Sequence, residues 1–325
     1  MKNELLESFL AHKTIPYETD VDLKKKTWIH RGGKADYFIM PQNTLSLEIL
    51  MTYLYHNKIQ HLLIGCTSNL YVLNSTNIPV VVSTLHCNQY AIKDSVIECD
   101  CGVQVAKLAR QMINNGIKGF EYLTKLPGTI GAAICNNSSV KKPENSIAER
   151  LVDIDIITPT GLRTIKAADL HFTFRSSDLK KKLLEGTILR ARLRKEIGNI
   201  VEMQQIAKEN EAERLVLLDG PSQNLGCTVH RPFCNGPMSL KYRVLCSVYS
   251  KFLSFGGKDE LNKKKLLKNF ILSVTGHKRL IPYVSDKLII TFIWKDENAD
   301  DVFDEYLEFM REIYKTDQIE IEIIK

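Results

Sequence analysis

Hydrophobic and polar positions alternate along this chain in two periods. Leu47, Leu50, Met51 and Leu54 recur at helical spacing and predict a helix over 46–57. Val105, Leu108, Ala109, Met112 and Ile113 do the same, and Gly116 supplies a C-terminal stop. Short apolar or alternating runs predict strands at 36–40, 60–65, 79–83, 95–101, 151–158, 162–166 and 187–193. Pro159-Thr160-Gly161 turns the hairpin between 151–158 and 162–166. The last third reads mostly as helix, at 200–215, 237–254 and 259–274. It closes with a strand at 287–294, a helix at 299–314 and a strand at 318–324. Val302, Tyr306, Phe309 and Ile313 form the apolar stripe of the last helix. No internal repeat occurs, and the pattern is α+β.

Three glycine-containing bends interrupt the first half. Gly119–Ala133 carries no charge after Lys125, and Pro127-Gly128-Thr129 predicts a tight corner whose N–H groups face outward. Such a concave turn can hold phosphate oxygens, or it can be a strand-to-helix corner packed for stability. Gly32-Gly33 precedes the strand at 36–40. Gly65 ends the strand at 60–65, and Thr67, Ser68 and Asn69 follow with side-chain hydrogen-bonding groups. Neither G-x-G-x-x-G after a strand nor G-x-x-x-x-G-K-[ST] is present, so neither the dinucleotide fingerprint nor a P-loop is supported.

Composition narrows the class. At 325 residues, 44% hydrophobic and 25% charged, the chain can form two or three domains. The net charge of +6 suits an anionic ligand, but it is spread along the chain. Lys180–Lys182 and Lys263–Lys265 read as solvated helix faces, and nothing interleaves aromatics with them, so no nucleic acid is expected. No run reaches the ~18 apolar residues of a membrane helix. The acidic, amphipathic start MKNELLESFLAHKT is unlike a signal peptide, and the eight cysteines show no C-x-x-C pair. Reduced thiols in a cytoplasm are expected. Cys99 and Cys101 share a strand face, a spacing for packing and not for zinc, and no metal site is expected.

The order of the segments resembles the UDP-N-acetylenolpyruvoylglucosamine reductases, which carry FAD. Thr27, Gly32, Gly33 and Ala35 match the family's T-x-x-x-G-G-x-A with one extra residue. Gly65, Ser68, Asn69 and Leu70 match G-x-G-S-N-L-L, with Thr67 at the second Gly. Gly116, Gly119, Glu121, Leu123, Pro127, Gly128, Gly131 and Ala133 match G-L-x-G-x-E-x-L-x-G-I-P-G-x-x-G-G-A. The resemblance implies a two-lobed FAD-binding module of the vanillyl-alcohol-oxidase type, with lobes at 1–84 and 85–205. A C-terminal α+β substrate domain would occupy 206–325. It implies cofactor contacts from Gly32, Gly33, Gly65, Thr67, Ser68, Asn69, Leu70, Pro127, Gly128, Thr129, Gly131 and Asn137. It also implies NADPH as co-substrate, a nucleotide-sugar substrate and a monomer.

The implied reaction passes hydride from reduced flavin to an enolpyruvyl ether and then delivers a proton. A cation must meet the substrate carboxylate, and an acid must sit at the adjacent carbon. Three matches fall in family order. Phe174-Arg175-Ser176-Ser177 resembles Y-R-x-S, whose Arg touches that carboxylate. Asn224-Leu225-Gly226-Cys227, with Pro232 beyond, resembles N-A-G-S-x-F-K-N-P, whose Ser donates the proton. A thiol of ordinary pKa about 8.5 is mostly protonated at neutral pH and can replace it. Ile319-Glu320-Ile321-Glu322-Ile323 resembles L-E-P-E-V, whose second Glu faces the carboxylate, and in a strand Glu320 and Glu322 share a face. Taken alone, each of the three residues has a bland reading: a surface Arg, a packed Cys, a solvated strand edge.

The chain also departs from the pattern. Only Asn137 survives from the family's N-A-G-A-Y-G segment, where Ser138, Ser139, Val140, Lys141 and Lys142 follow. His230 and Arg231 replace Lys and Asn, Lys287-Leu288 replaces K-H, and about thirty residues near 233–275 look inserted or rewritten. The resemblance implies reduction to UDP-N-acetylmuramate, for peptidoglycan precursors; the rewritten C-terminal part motivates other readings. An FAD enzyme acting on another sugar nucleotide, or a decayed flavin-binding protein, are the alternatives.

Overall fold

The computed structural model describes residues 3–140, 145–219, 223–229, 239–254 and 259–325. Along the chain run α1 (Glu4–His12), β1 (Tyr17–Asp22), β2 (Lys34–Ile39), α2 (Thr44–His56), β3 (Leu62–Ile64), β4 (Leu70–Val72) and β5 (Asn77–Ser83). Next come β6 (Tyr90–Ile92), β7 (Val96–Asp100), α3 (Val105–Asn114), α4 (Ile130–Cys135), β8 (Leu151–Thr158) and β9 (Gly161–Lys166). Then follow β10 (Phe172–Thr173), β11 (Ser176–Ser177), β12 (Thr187–Arg194), α5 (Ile200–Leu217) and β13 (Asn224–Cys227). The chain closes with α6 (Leu240–Ser254), α7 (Glu260–Val274), β14 (Thr291–Ile293), α8 (Ala299–Tyr314) and β15 (Glu322–Ile324).

Two compact units result. The first holds Met1–Lys26, Gly32–Thr67 and Asn74–Glu211; the second holds Thr27–Arg31, Ser68–Leu73 and Ala212–Lys325. In the first unit one sheet has the order β1-β2-β5-β3, with β2, β5 and β3 parallel. The other is antiparallel, in the order β6-β7-β12-β8-β9. One hydrophobic core, from Leu6 to Leu193, serves both. The stripe Leu47, Leu50, Met51 and Leu54 is fully buried on α2, which packs against β8 and β12. Asn43 caps that helix, its Oδ1 accepting from the Ser46 amide at 2.8 Å. Ile154 and Ile156 of β8 point into the core, while Asp153 and Asp155 face outward to Arg192 of β12. Period-2 burial of this kind is what places one face of a strand inside.

The second unit is built round α8. Its stripe of Val302, Phe303, Tyr306, Phe309, Met310 and Ile313 packs on Phe292 and Trp294. Phe292 lies 4.8 Å from Trp294 and 5.0 Å from Phe303, edge to face. Ile29 and Tyr71, from the first quarter of the chain, are buried in this same core. β4 pairs in parallel with β15, and β13 pairs antiparallel with β14.

In the last third of the chain, two expected strands are shorter than the periodicity predicts. The strand expected at 287–294 is β14, Thr291–Ile293. Before it, the Ser285 hydroxyl accepts from the amides of Lys287 and Leu288, both at 3.0 Å, and this local turn competes with extension. The strand expected at 318–324 is β15, Glu322–Ile324, preceded by a single bridge between Ile319 and Val229. Residues 320–321 bend between them, so Glu320 and Glu322 do not sit on one continuous strand.

Candidate flavin site and substrate residues

Two of the three glycine bends meet. Gly65 follows β3, and a Cβ there would lie 2.6 Å from Thr129 Oγ1 and 3.0 Å from its Cγ2. Only glycine lets the two turns approach this closely. The Cys66 thiol, pushed up by burial, is hydrogen-bonded to the Gly128 backbone. Thr67 is buried in the left-handed region at φ 53°, and Gly128 has φ 110°. Thr129 is buried at the N-cap of α4, and exposed Pro127 leads into it. The Ile130 amide donates to Val103 O at 2.9 Å and that of Gly131 to Cys101 O at 2.8 Å. The outward-facing amides expected of this corner therefore exclude those two, which the chain uses itself. A methyl group placed on Gly131 would lie 3.1 Å from the Cys101 Cβ, a closeness that belongs to the same internal contact.

The third bend is elsewhere, so Gly32 and Gly33, expected among the cofactor contacts, do not join the turns of the other two bends. Gly33 precedes β2 beside Thr76, and a Cβ on it would overlap the Thr76 carbonyl; a Cβ on Gly32 would meet Leu23 Cβ at 2.9 Å. Lys34 pairs with Asn77 at one end of β5, whereas Ile64 pairs with Ser83 at the other. At a strand rise of ~3.3 Å per residue, roughly 20 Å of β5 separates the two ends. Gly32 and Gly33 let the chain pack on itself.

Asn137 stands just beyond the other end of α4, at φ 40°. Its Nδ2 donates to Thr173 O at 2.9 Å, while its Oδ1 is buried with no partner among the described residues. A buried acceptor left unmet costs roughly 1–3 kcal/mol. An incoming donor relieves that cost, so the first unit offers an acceptor as well as a glycine-lined turn. These features fit a dinucleotide with a diphosphate and a ring that carries an N–H donor.

Arg175 sits at the tip of the β10–β11 hairpin of the first unit, at φ 56°, with its guanidinium 5.8 Å from the Phe174 ring centre. Cys227 and Glu322 belong to the second unit. There the structure lays three stretches side by side. Glu320 N donates to Thr228 O at 2.7 Å, Asn69 Nδ2 donates to Glu320 O at 2.9 Å, and Glu322 N donates to Asn69 O at 2.9 Å. Asn69, Cys227 and Glu322 are thereby carried on neighbouring segments, with Leu70 opposite Glu322 and Ser68 just before Asn69. Gly226 has φ 79°, and its amide donates to Asn224 Oδ1 at 2.9 Å, which sets the turn that presents half-buried Cys227. Glu322 is exposed. His230, Arg231, Pro232, Lys141 and Lys142 lie outside the described residues.

Sequence reading missed the partners that hold these residues. Trp28 Nε1 donates to Asn224 O at 3.0 Å. Ser177 and Lys180 hold the end of α4. No local pattern marks such long-range pairs. No group of three or more His, Cys, Asp or Glu able to hold a metal occurs among the described residues, and no helix among them is long and apolar enough to cross a membrane.

The model of the FAD binding domain family matches residues 35–165. The chain is 28% identical over 207 residues to a UDP-N-acetylenolpyruvoylglucosamine reductase of Caldicellulosiruptor bescii, covering 63% of this chain and 64% of that one. It is 26% identical over 287 residues to the same-named protein of Prochlorococcus marinus, covering 86% and 95%. The match thus spans somewhat under two thirds of the first relative's length and nearly all of the second's. In fold, the chain resembles the crystal structure of the reductase (MurB) from Thermus caldophilus, with TM-score 0.67 at 18% identity over 96% of this chain and all of that one. The chain is thus similar in sequence to proteins named UDP-N-acetylenolpyruvoylglucosamine reductase, and in fold to one of them.

Proposed function

We propose that the protein reduces UDP-N-acetylenolpyruvoylglucosamine to UDP-N-acetylmuramate with NADPH, as a step of peptidoglycan precursor synthesis. The observation that carries the reading is the meeting of the Gly65 and Gly128–Thr129 turns beside parallel strands, with Asn137 Oδ1 unmet at the far end of the same helix. When bound, FAD supplies the hydride relay between NADPH and the enolpyruvyl double bond. Gly65, Thr67, Ser68, Asn69, Leu70, Pro127, Gly128, Thr129, Gly131 and Asn137 are the residues proposed to hold it. Arg175 binds the substrate carboxylate, where its guanidinium stays charged and can fork onto both oxygens. Cys227 holds the proton that ends on the carbon next to that carboxylate, and Glu322 orients the carboxylate. The boundaries 1–84, 85–205 and 206–325, a monomeric state and a cytoplasmic location are part of the same proposal.

The test is direct. Purified protein is expected to show a flavin spectrum and to oxidise NADPH only when the enolpyruvyl substrate is present. Cys227→Ala should keep flavin reduction by NADPH and slow reoxidation by the substrate by about 10²-fold or more, the usual scale of a general acid. A colourless protein that cannot be reconstituted with FAD overturns the proposal. Turnover with a different sugar nucleotide alone would reassign the substrate.

A further inference from the structure

α4 is six residues long, about 9 Å at 1.5 Å per residue, and both of its ends are engaged. Its N-cap is Thr129 of the glycine turns. At its C-terminal end, consecutive residues hold the hairpin that carries Arg175. Ser177 Oγ donates to Cys135 O at 2.6 Å, Lys180 Nζ to Asn136 Oδ1 at 2.6 Å, and Asn137 Nδ2 to Thr173 O at 2.9 Å. The first bond has a clear cause. The last carbonyls of a helix have no intrahelical donors, and a buried one needs a partner. Ser177, 1% exposed, supplies it to Cys135.

The hairpin needs these ties. β10 and β11 are two residues each, too short to be stable alone. The connecting residue Arg175 is left-handed, a conformation that costs an L-residue about 1–2 kcal/mol. Asp178 closes the base, accepting from the His171 amide at 2.9 Å and facing its ring Nδ1 at 3.1 Å. That clamp fixes the hairpin's shape. The ties to 135–137 join it to the end of α4.

We propose that Ser177 and Lys180 are positioning residues that set Arg175 against the flavin turn through α4. The inference rests on the reading of Arg175 as the carboxylate-binding group. The turn that would approach the cofactor and the arginine that would hold the substrate then share one rigid element. A shift of about 1 Å in such a pair can slow a reaction by 10²-fold.

The experiment uses FAD-loaded full-length protein, with the two half-reactions followed separately and amide hydrogen exchange followed over 172–184. Ser177→Ala is expected to keep reduction by NADPH within about twofold and to slow reoxidation by the enolpyruvyl substrate by about tenfold or more, with KM raised. Exchange at 172–177 should rise while α3 stays unchanged. Ser177→Thr, which keeps the hydroxyl, should restore both. Lys180→Met should change both readouts in the same direction and replaces Ser177→Ala should that variant not fold. Unchanged exchange in the hairpin overturns the proposal, and so does faster exchange with an unchanged second half-reaction or an equal loss of both half-reactions. If wild-type flavoprotein accepts electrons from NADPH but is not reoxidised by this substrate, the proposed function falls. The exchange of Ser177→Ala then still decides whether the hydroxyl anchors the hairpin.

Discussion

A single methyl group at Gly65 would drive apart the two turns on which the cofactor reading depends. Gly65→Ala places a carbon 2.6 Å from Thr129 Oγ1. We expect it to cost about 1–3 kcal/mol by overpacking and to weaken FAD retention. Thr129→Ala removes both atoms in conflict, so the double variant should recover part of the loss in urea unfolding. Strict additivity of the two changes would show that the contact does not exist. The cysteines differ for a related reason. Burial pushes the Cys87 and Cys99 thiols up to about 12, and Cys101 is also raised by burial. Because the thiolate is the reactive form, these three should resist a thiol reagent at about pH 8 until the protein unfolds, while half-buried Cys227 reacts before them. Mass spectrometry of partially labelled protein checks the order. That Cys99 and Cys101 pack was legible in their alternation. That Gly65 faces Thr129 was not, because sixty-four residues separate them and nothing in either segment encodes the encounter.

Elements carry their own electrostatics. On β12, Arg192 sits opposite Asp153 of β8 and Glu98 of β7, and its guanidinium bonds Asp155 at 2.7 and 2.9 Å. Burial by itself raises the Asp155 carboxyl, but hydrogen bonds from Arg192 and Thr164 together with the nearby arginine charge hold it below the usual carboxylate range. A carboxyl held low in the folded state adds stability above its unfolded pKa, near 3.9, and that stability is lost as pH falls through the lower folded value. Asp155→Asn should therefore flatten the fall of Tm between about pH 5 and pH 2 while lowering Tm near neutrality. An acid limb identical to wild type would remove this account. Elements with full periodic stripes, such as α2 and α8, were legible because every turn buries a residue of the same face. The hairpin at 172–177 and the truncated β14 and β15 were not, since hydroxyl-capped turns and isolated bridges fix them, and these depend on partners far along the chain.

At the scale of the whole molecule, the second unit is not a contiguous stretch of sequence. Ile29 is fully buried in its core, Tyr71 OH donates to Asp300 Oδ1 at 2.9 Å, and Arg31 Nε lies 3.3 Å from Asp300 Oδ2. β4 supplies the strand beside β15. Ile29→Ala should cost about 2–5 kcal/mol, the range of a buried aliphatic truncation. Its effect should appear as faster hydrogen exchange in α8, at 299–314, before any change in β8 or β12. Exchange that rises first in the first unit would refute this assignment of Ile29.

The order of apolar stripes, the glycines and the residues matching the family motifs were determined by the sequence alone, because periodicity and turn chemistry act over a few residues. Which glycines serve a ligand turn and which serve the chain's own packing was decided only by tertiary structure, as was the docking of residues 27–31 and 68–73 into the C-terminal unit. Burial and close approach are properties of residues brought together from distant positions, and no local pattern records which partner will arrive.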